Sequence, residues 1–139
     1  MLDTMTVAAT NLIDTSHHPL DGGSAYEWAS GWGFDEYGVF VEFTFKDIIQ
    51  RLRWCPPGEF IMGSPEDEPG RFDWEGPQTS VALEEGFWLF DTPVTQALYE
   101  AVMENNPSSF KSPDRPVEQV SWKEAQAFLG RLNAEISGL

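Results

Sequence analysis

Between Val39 and Phe45, hydrophobic and polar positions change places almost step by step. Val39, Val41, Phe43 and Phe45 fall on one side; Phe40, Glu42 and Thr44 fall on the other. A period of two predicts a strand with one face buried. Gln50 to Trp54 predicts a second strand of the same kind, and Lys46-Asp47 opens a connection of hairpin length. Pro56-Pro57-Gly58 stops that strand, because proline has no N–H to give to a ladder. Phe60-Ile61-Met62, ahead of Gly63, predicts another short buried strand. Ser80 to Leu83 and Gly86 to Asp91 predict two more.

The period then changes. Val94, Ala97, Leu98, Ala101 and Val102 recur at three and four, a helical stripe. Thr92 is its expected N-cap, with Pro93 at the first helical position, and Asn105-Asn106-Pro107 its stop. A second helix opens at Ser121, where Glu124 three residues on makes a capping box. Its stripe is Trp122, Ala125, Phe128, Leu129 and Leu132, and Gly138 is the expected stop. Ser64 to Gln78 holds three prolines and two glycines in a turn-rich loop, and Pro107 to Val120 is also irregular. Residues 1–38 carry no sustained period. They read as an irregular arm, with Trp28, Trp32 and Tyr37 as anchors. Strands first and helices later give an α+β class with an antiparallel sheet, two flanking helices and much irregular loop.

Composition sets the size of this unit and charge narrows its partners. The 139 residues are 41% hydrophobic, with six Trp and ten Phe, enough for one core and one domain or most of one. Eight Lys and Arg stand against 23 Asp and Glu, a net charge of −15. The acidity is spread along the chain, so DNA, RNA and an anionic membrane surface are repelled, while a cationic partner is tolerated. No apolar run reaches the length of a membrane span. Met1 to Asn11 has no basic residue before its weak apolar run, so no secretory leader is supported. With the single cysteine, this places the chain in a reducing compartment, the cytoplasm.

Candidate chemistry is thin. Glu66, Asp67, Glu68, Asp73 and Glu75 have the oxygen ligands for Ca²⁺, but no calcium-loop spacing, and a solvated acidic loop accounts for them better. His17 and His18 are adjacent, so on an extended chain they point apart. Cys55 ends an apolar strand and reads as a small core residue, although Arg53 lies on the same strand face. Ser24, Ser30 and Ser64 have glycine nearby but none has the nucleophile elbow of a hydrolase. Trp74, in the acidic loop beside Asp73 and Glu75, is the residue expected to face a partner or ligand. No catalytic, cofactor-binding or metal residue is assigned.

Five separated blocks carry a resemblance. They are Arg53-Trp54-Cys55-Pro56-Pro57-Gly58-Glu59-Phe60-Ile61-Met62-Gly63-Ser64, Glu75-Gly76-Pro77-Gln78, Val81-Ala82-Leu83 with Gly86-Phe87-Trp88-Leu89, Thr92-Pro93-Val94-Thr95-Gln96, and Arg115-Pro116-Val117-Glu118-Gln119-Val120-Ser121-Trp122 with Glu124-Ala125. Together they resemble the formylglycine-generating enzyme, or sulfatase-modifying factor, family. The resemblance extends to Trp28-Ala29-Ser30-Gly31-Trp32-Gly33 and Glu36-Tyr37-Gly38 as a lead-in strand. It implies a partial C-type-lectin-like fold, with residues 39–139 as the N-terminal portion of the domain. Active members oxidise a cysteine of a substrate protein to formylglycine, using oxygen and copper held by paired cysteines. Relatives perform iron-dependent sulfur chemistry or serve as ligand-display scaffolds.

The resemblance places the copper cysteines, and any structural calcium, in a C-terminal half beyond Leu139. Cys55 stands where the family usually has an aliphatic residue, so no catalytic residue carries over. Three functions follow as expectations. The first is a structural N-terminal half, inactive alone, that finds a protein partner or self-associates through an open sheet edge. The second is a subunit of a formylglycine-generating oxidase completed in trans. The third is a non-catalytic lectin-like binding module that uses Trp74 and the acidic loop.

Overall fold

A computed structural model describes residues 18–20 and 26–136. The order is β1 (Gly31–Asp35), β2 (Gly38–Phe45), β3 (Ile48–Cys55), β4 (Gly58–Met62), a 3₁₀ turn (Asp73–Glu75), β5 (Thr79–Leu83), β6 (Phe87–Phe90), α1 (Gln96–Met103) and α2 (Trp122–Glu135). Four strands form an antiparallel sheet in the order β1-β2-β3-β6, and β4 and β5 pair as a separate ribbon.

The alternation in β2 works as expected. Val39, Val41 and Phe43 are buried with Leu52 of β3, and Leu98, Tyr99 and Val102 of α1 and Phe128 and Leu132 of α2 complete the core on that face. Tyr99 and Phe128 stack with ring centres 5.4 Å apart, joining the two helices. The β2–β3 hairpin turns on Lys46 and Asp47, both left-handed at φ 46° and 67°. Two such residues match the strand twist in a two-residue turn. Lys46 Nζ donates to the Ala101 carbonyl at 2.8 Å, tying the turn to the end of α1, where a cation suits the helix dipole.

Three expectations need correction. The arm is not irregular throughout, because Gly31–Asp35 is an edge strand paired to β2. Its glycines hid it from a reading of periodicity, yet they are what lets the strand lie there. A Cβ on Gly33 would sit 2.8 Å from the Phe40 ring. Of the proposed anchors, Trp28 packs against the core and stacks on Tyr26 at 4.9 Å, whereas Trp32 and Tyr37 stay exposed.

The first helix starts later than expected. Thr95 is the N-cap, accepting from the Leu98 N–H at 3.2 Å, because the chain before it is held extended. The Val117 N–H donates to the Val94 carbonyl and Thr95 bridges to Pro116. The second helix starts at its Ser121–Glu124 capping box as predicted. Its expected stop, Gly138, lies outside the described residues, as do His17 and Ser24. Trp122 and Leu129 of its stripe remain exposed.

The third correction concerns β4. The strand exists, but every one of its residues is exposed, and among the described residues β5 is the element it chiefly packs with.

Candidate functional site

Every residue of β4 and all but Val81 of β5 are exposed in the ribbon. Phe60 faces Val81 across it, Met62 faces Thr79 and Gly58 faces Leu83, so one side of the ribbon is largely apolar. Phe60, Met62 and Leu83 are all exposed, as is Ile61 on the opposite side. The turn-rich loop closes the end of this ribbon and is held by specific bonds. Gly63 has φ +101°, and a side chain there would run into the Glu75 carbonyl at 2.7 Å. The Ser64 N–H donates to the Glu75 carbonyl at 3.1 Å, and Gln78 Nε2 donates to the Gly63 carbonyl at 3.3 Å.

The structure divides the three residues expected to face a partner. Glu75 turns into the loop, accepting from Ser64 Oγ at 2.9 Å and from the Phe72 N–H at 3.2 Å. Asp73 stays exposed. Trp74 is 79% exposed and its ring stacks on Phe72 at 4.6 Å and 5° between planes. The second aromatic had no mark in the sequence beyond its spacing of two from Trp74. The wider acidic group does not converge: among the described residues no three His, Cys, Asp or Glu side chains are gathered as metal ligands.

Cys55 is part-buried, and burial pushes its thiol above its usual range, which disfavours the thiolate. A copper centre of paired thiolates does not fit this donor, since no second cysteine exists in the sequence. The imidazole of His18 accepts at Nδ1 from the Leu20 N–H at 3.2 Å, a local loop bond.

The outer face of the main sheet carries an ion-pair network that spacing alone would have suggested, Arg51 and Arg53 being two apart on one strand. Arg53 makes a two-pronged contact with Asp35, at 2.6 and 2.9 Å. Arg51 reaches Glu42 at 2.6 Å and lies 3.9 Å from the centre of the Phe40 ring. The Arg53 hydrogen bond holds the Asp35 carboxyl below its ordinary range, and the same contact raises Arg53. With both signs paired in parallel, this network orders β1 against β3 and leaves no net cationic surface.

The second feature missed from the sequence is Gln96. It is 1% exposed and its amide is fully used. Nε2 donates to the Phe110 and Pro116 carbonyls, while Oε1 accepts from Asn106 Nδ2 and the Ser112 N–H. Glu118 accepts from the Ser109 and Phe110 N–H groups. These two side chains fold the proline-rich segment before α2, beside an open depression of about 410 Å³ lined by Glu100, Asn106, Lys111, Ser112 and Pro113. The bonds are used within the segment, so this region reads as a brace.

Comparison with known proteins adds the following. The profile of the "Sulfatase-modifying factor enzyme 1-like domain" matches residues 43–135. Treponema denticola variable protein 1 is similar at 27% identity with a TM-score of 0.58, over 68% of this chain and 34% of that one. PvdO from Pseudomonas aeruginosa is similar in fold, at 18% identity and a TM-score of 0.57, over 78% of this chain and 45% of that one. The chain thus spans between a third and a half of the structures it matches. No curated protein sequence matches it.

Proposed function

Since the chain belongs to the family of sulfatase-modifying factor enzyme 1-like domains, we propose that it supplies the scaffold of such a domain and binds another polypeptide rather than oxidising one. The antiparallel sheets, two helices and long loops follow the C-type-lectin-like plan of that family in part. The observation that carries the proposal is apolar surface left without cover. Phe60, Ile61, Met62 and Leu83 on the ribbon, Phe87 and Leu89 on β6, and Trp122 on α2 are all exposed. Phe60, Met62 and Leu83 lie together on one side of the ribbon, and a cluster of exposed apolar residues of this kind suits an interaction site. The free edge of β6 adds a row of backbone groups open to a further strand, from a partner or from a second copy.

Oxidation completed in trans has less support. The other polypeptide would have to bring the paired copper thiolates, because Cys55 is the one cysteine in the sequence and burial raises its thiol above its usual range. A lectin-like display role shares the same exposed surface and differs only in the ligand.

The proposal is tested on the purified chain with an apolar dye and a thermal melt. It predicts strong dye fluorescence from the native chain below the melting transition. A cooperatively melting chain that gives no dye signal in its native state contradicts it. Copper with a cysteine-bearing sulfatase peptide is expected to give no mass shift when this chain is the only protein present.

A further inference from the structure

We propose that the β4–β5 ribbon and its loop dock a cationic polypeptide segment, one that carries Lys or Arg among aliphatic residues. The proposal rests on the polypeptide-binding reading above and names the class of partner at one surface. Three observations lead to it.

The first is the aromatic platform. One face of the Trp74 ring is covered by Phe72, and the side chain is still 79% exposed. A stacked, solvent-facing indole offers its electron-rich face to a cation, and tryptophan is the strongest such acceptor. The second is the charge around it. Residues 56–91 hold nine Asp and Glu against the single Arg71. Arg71 lies against Gly76 with its Nε buried. Glu66, Asp67, Glu68 and Asp73 in the loop, and Glu84 and Glu85 beyond β5, are all exposed. Their charge is available to a partner. The third is rigidity: Ser64, Gly63, Glu75 and Gln78 already hold the loop in place, so little ordering cost remains on binding.

Charge decides among the occupants. A second copy would bring the same acidic segment against itself, and like charges across an interface are costly. A nucleic acid or an anionic membrane is repelled for the same reason. A basic segment is attracted. Its cations meet Trp74 and the loop carboxylates, and its aliphatic side chains meet the apolar side of the ribbon at Phe60, Met62 and Leu83.

The test is fluorescence anisotropy of two dye-labelled peptides that alternate Leu with Arg or Leu with Glu, titrated with the full chain. The proposal predicts that the Arg peptide binds, that binding weakens as salt is raised, and that the Glu peptide does not bind. Trp74→Ala and Asp73→Asn should each weaken it by about three- to tenfold. Ile49→Ala, exposed on β3, should leave it unchanged. Absence of binding by the Arg peptide overturns the proposal. So does equal binding of the Glu peptide, full retention with Trp74→Ala, or an equal loss with Ile49→Ala. If the apolar dye binds while the Arg peptide does not, the partner class is wrong and the scaffold reading stands. If the dye also fails, both are wrong.

Discussion

Two antiparallel sheets in this chain share one sequence rule and have opposite fates. In the main sheet, β2 alternates and its apolar side disappears beneath α1 and α2, with Val41 and Phe43 fully buried. In the ribbon, β4 presents Phe60 and Met62 on one side and Ile61 on the other, and all of them face solvent. The difference lies in what covers each sheet. Alternation reports that a strand has two unlike faces; it does not report that a second layer exists. Where a layer exists, the apolar side stabilises the fold. Where none is found among the described residues, the same side stays exposed to solvent.

The comparison is broken most directly by truncating each sheet. Phe43→Ala removes a fully buried ring and should cost about 3–5 kcal/mol in urea unfolding. Ile61→Ala on the ribbon should fall within about 0.5 kcal/mol of the parent. A comparable loss from both would mean that the ribbon is part of the cooperative core.

A somewhat smaller effect is expected at Gln96. Gln96→Ala strands the Phe110 and Pro116 carbonyls and the Ser112 N–H, which should cost about 2–3 kcal/mol. Amide protection should fall across the segment before α2 while the β2–β3 amides keep theirs. Uniform loss throughout the chain would show that the brace and the core unfold together.

The smallest effect is on pH dependence. The Asp35 and Glu124 carboxyls are held below their ordinary values, by Arg53 and by Ser121 respectively. A carboxyl depressed in the folded state stabilises above its unfolded pKa, and that stability is lost as pH falls through the folded value. The melting temperature should therefore be level near neutrality and drop as pH passes below the ordinary 3.8 and 4.5 of these groups. Asp35→Asn should shallow the drop slightly, since the group is solvent-screened.

How much of this was legible depends on how local each cause is. The β2 face and the Ser121–Glu124 box are written within a few residues, and each was readable; the hairpin connection at Lys46-Asp47 was readable too, but Ile48 and Ile49, outside the expected strand, belong to β3. The start of α1 was not. Thr92 and Thr95 are equal candidates locally, and the choice is made by Val117 and Pro116, more than twenty residues away. Gly33 conceals β1 because its purpose, room for the Phe40 ring, appears only once the strands pair. Gln96 looks like an ordinary polar helix residue, and only the folded segment after α1 shows that all four of its hydrogen bonds are used. In the acidic loop, Trp74 and Asp73 were legible as exposed positions. Glu75 could not be told from them, because its inward turn depends on Ser64, eleven residues back.

The sharpest single measurement is backbone hydrogen exchange of the chain alone, comparing the amides of β2 and β3 with those of β4 and β5. A covered sheet and an uncovered ribbon should differ by orders of magnitude, with the ribbon opening locally while the main sheet exchanges only through global unfolding. Equal, high protection in both would mean that the ribbon is already packed, and the open binding face would not exist.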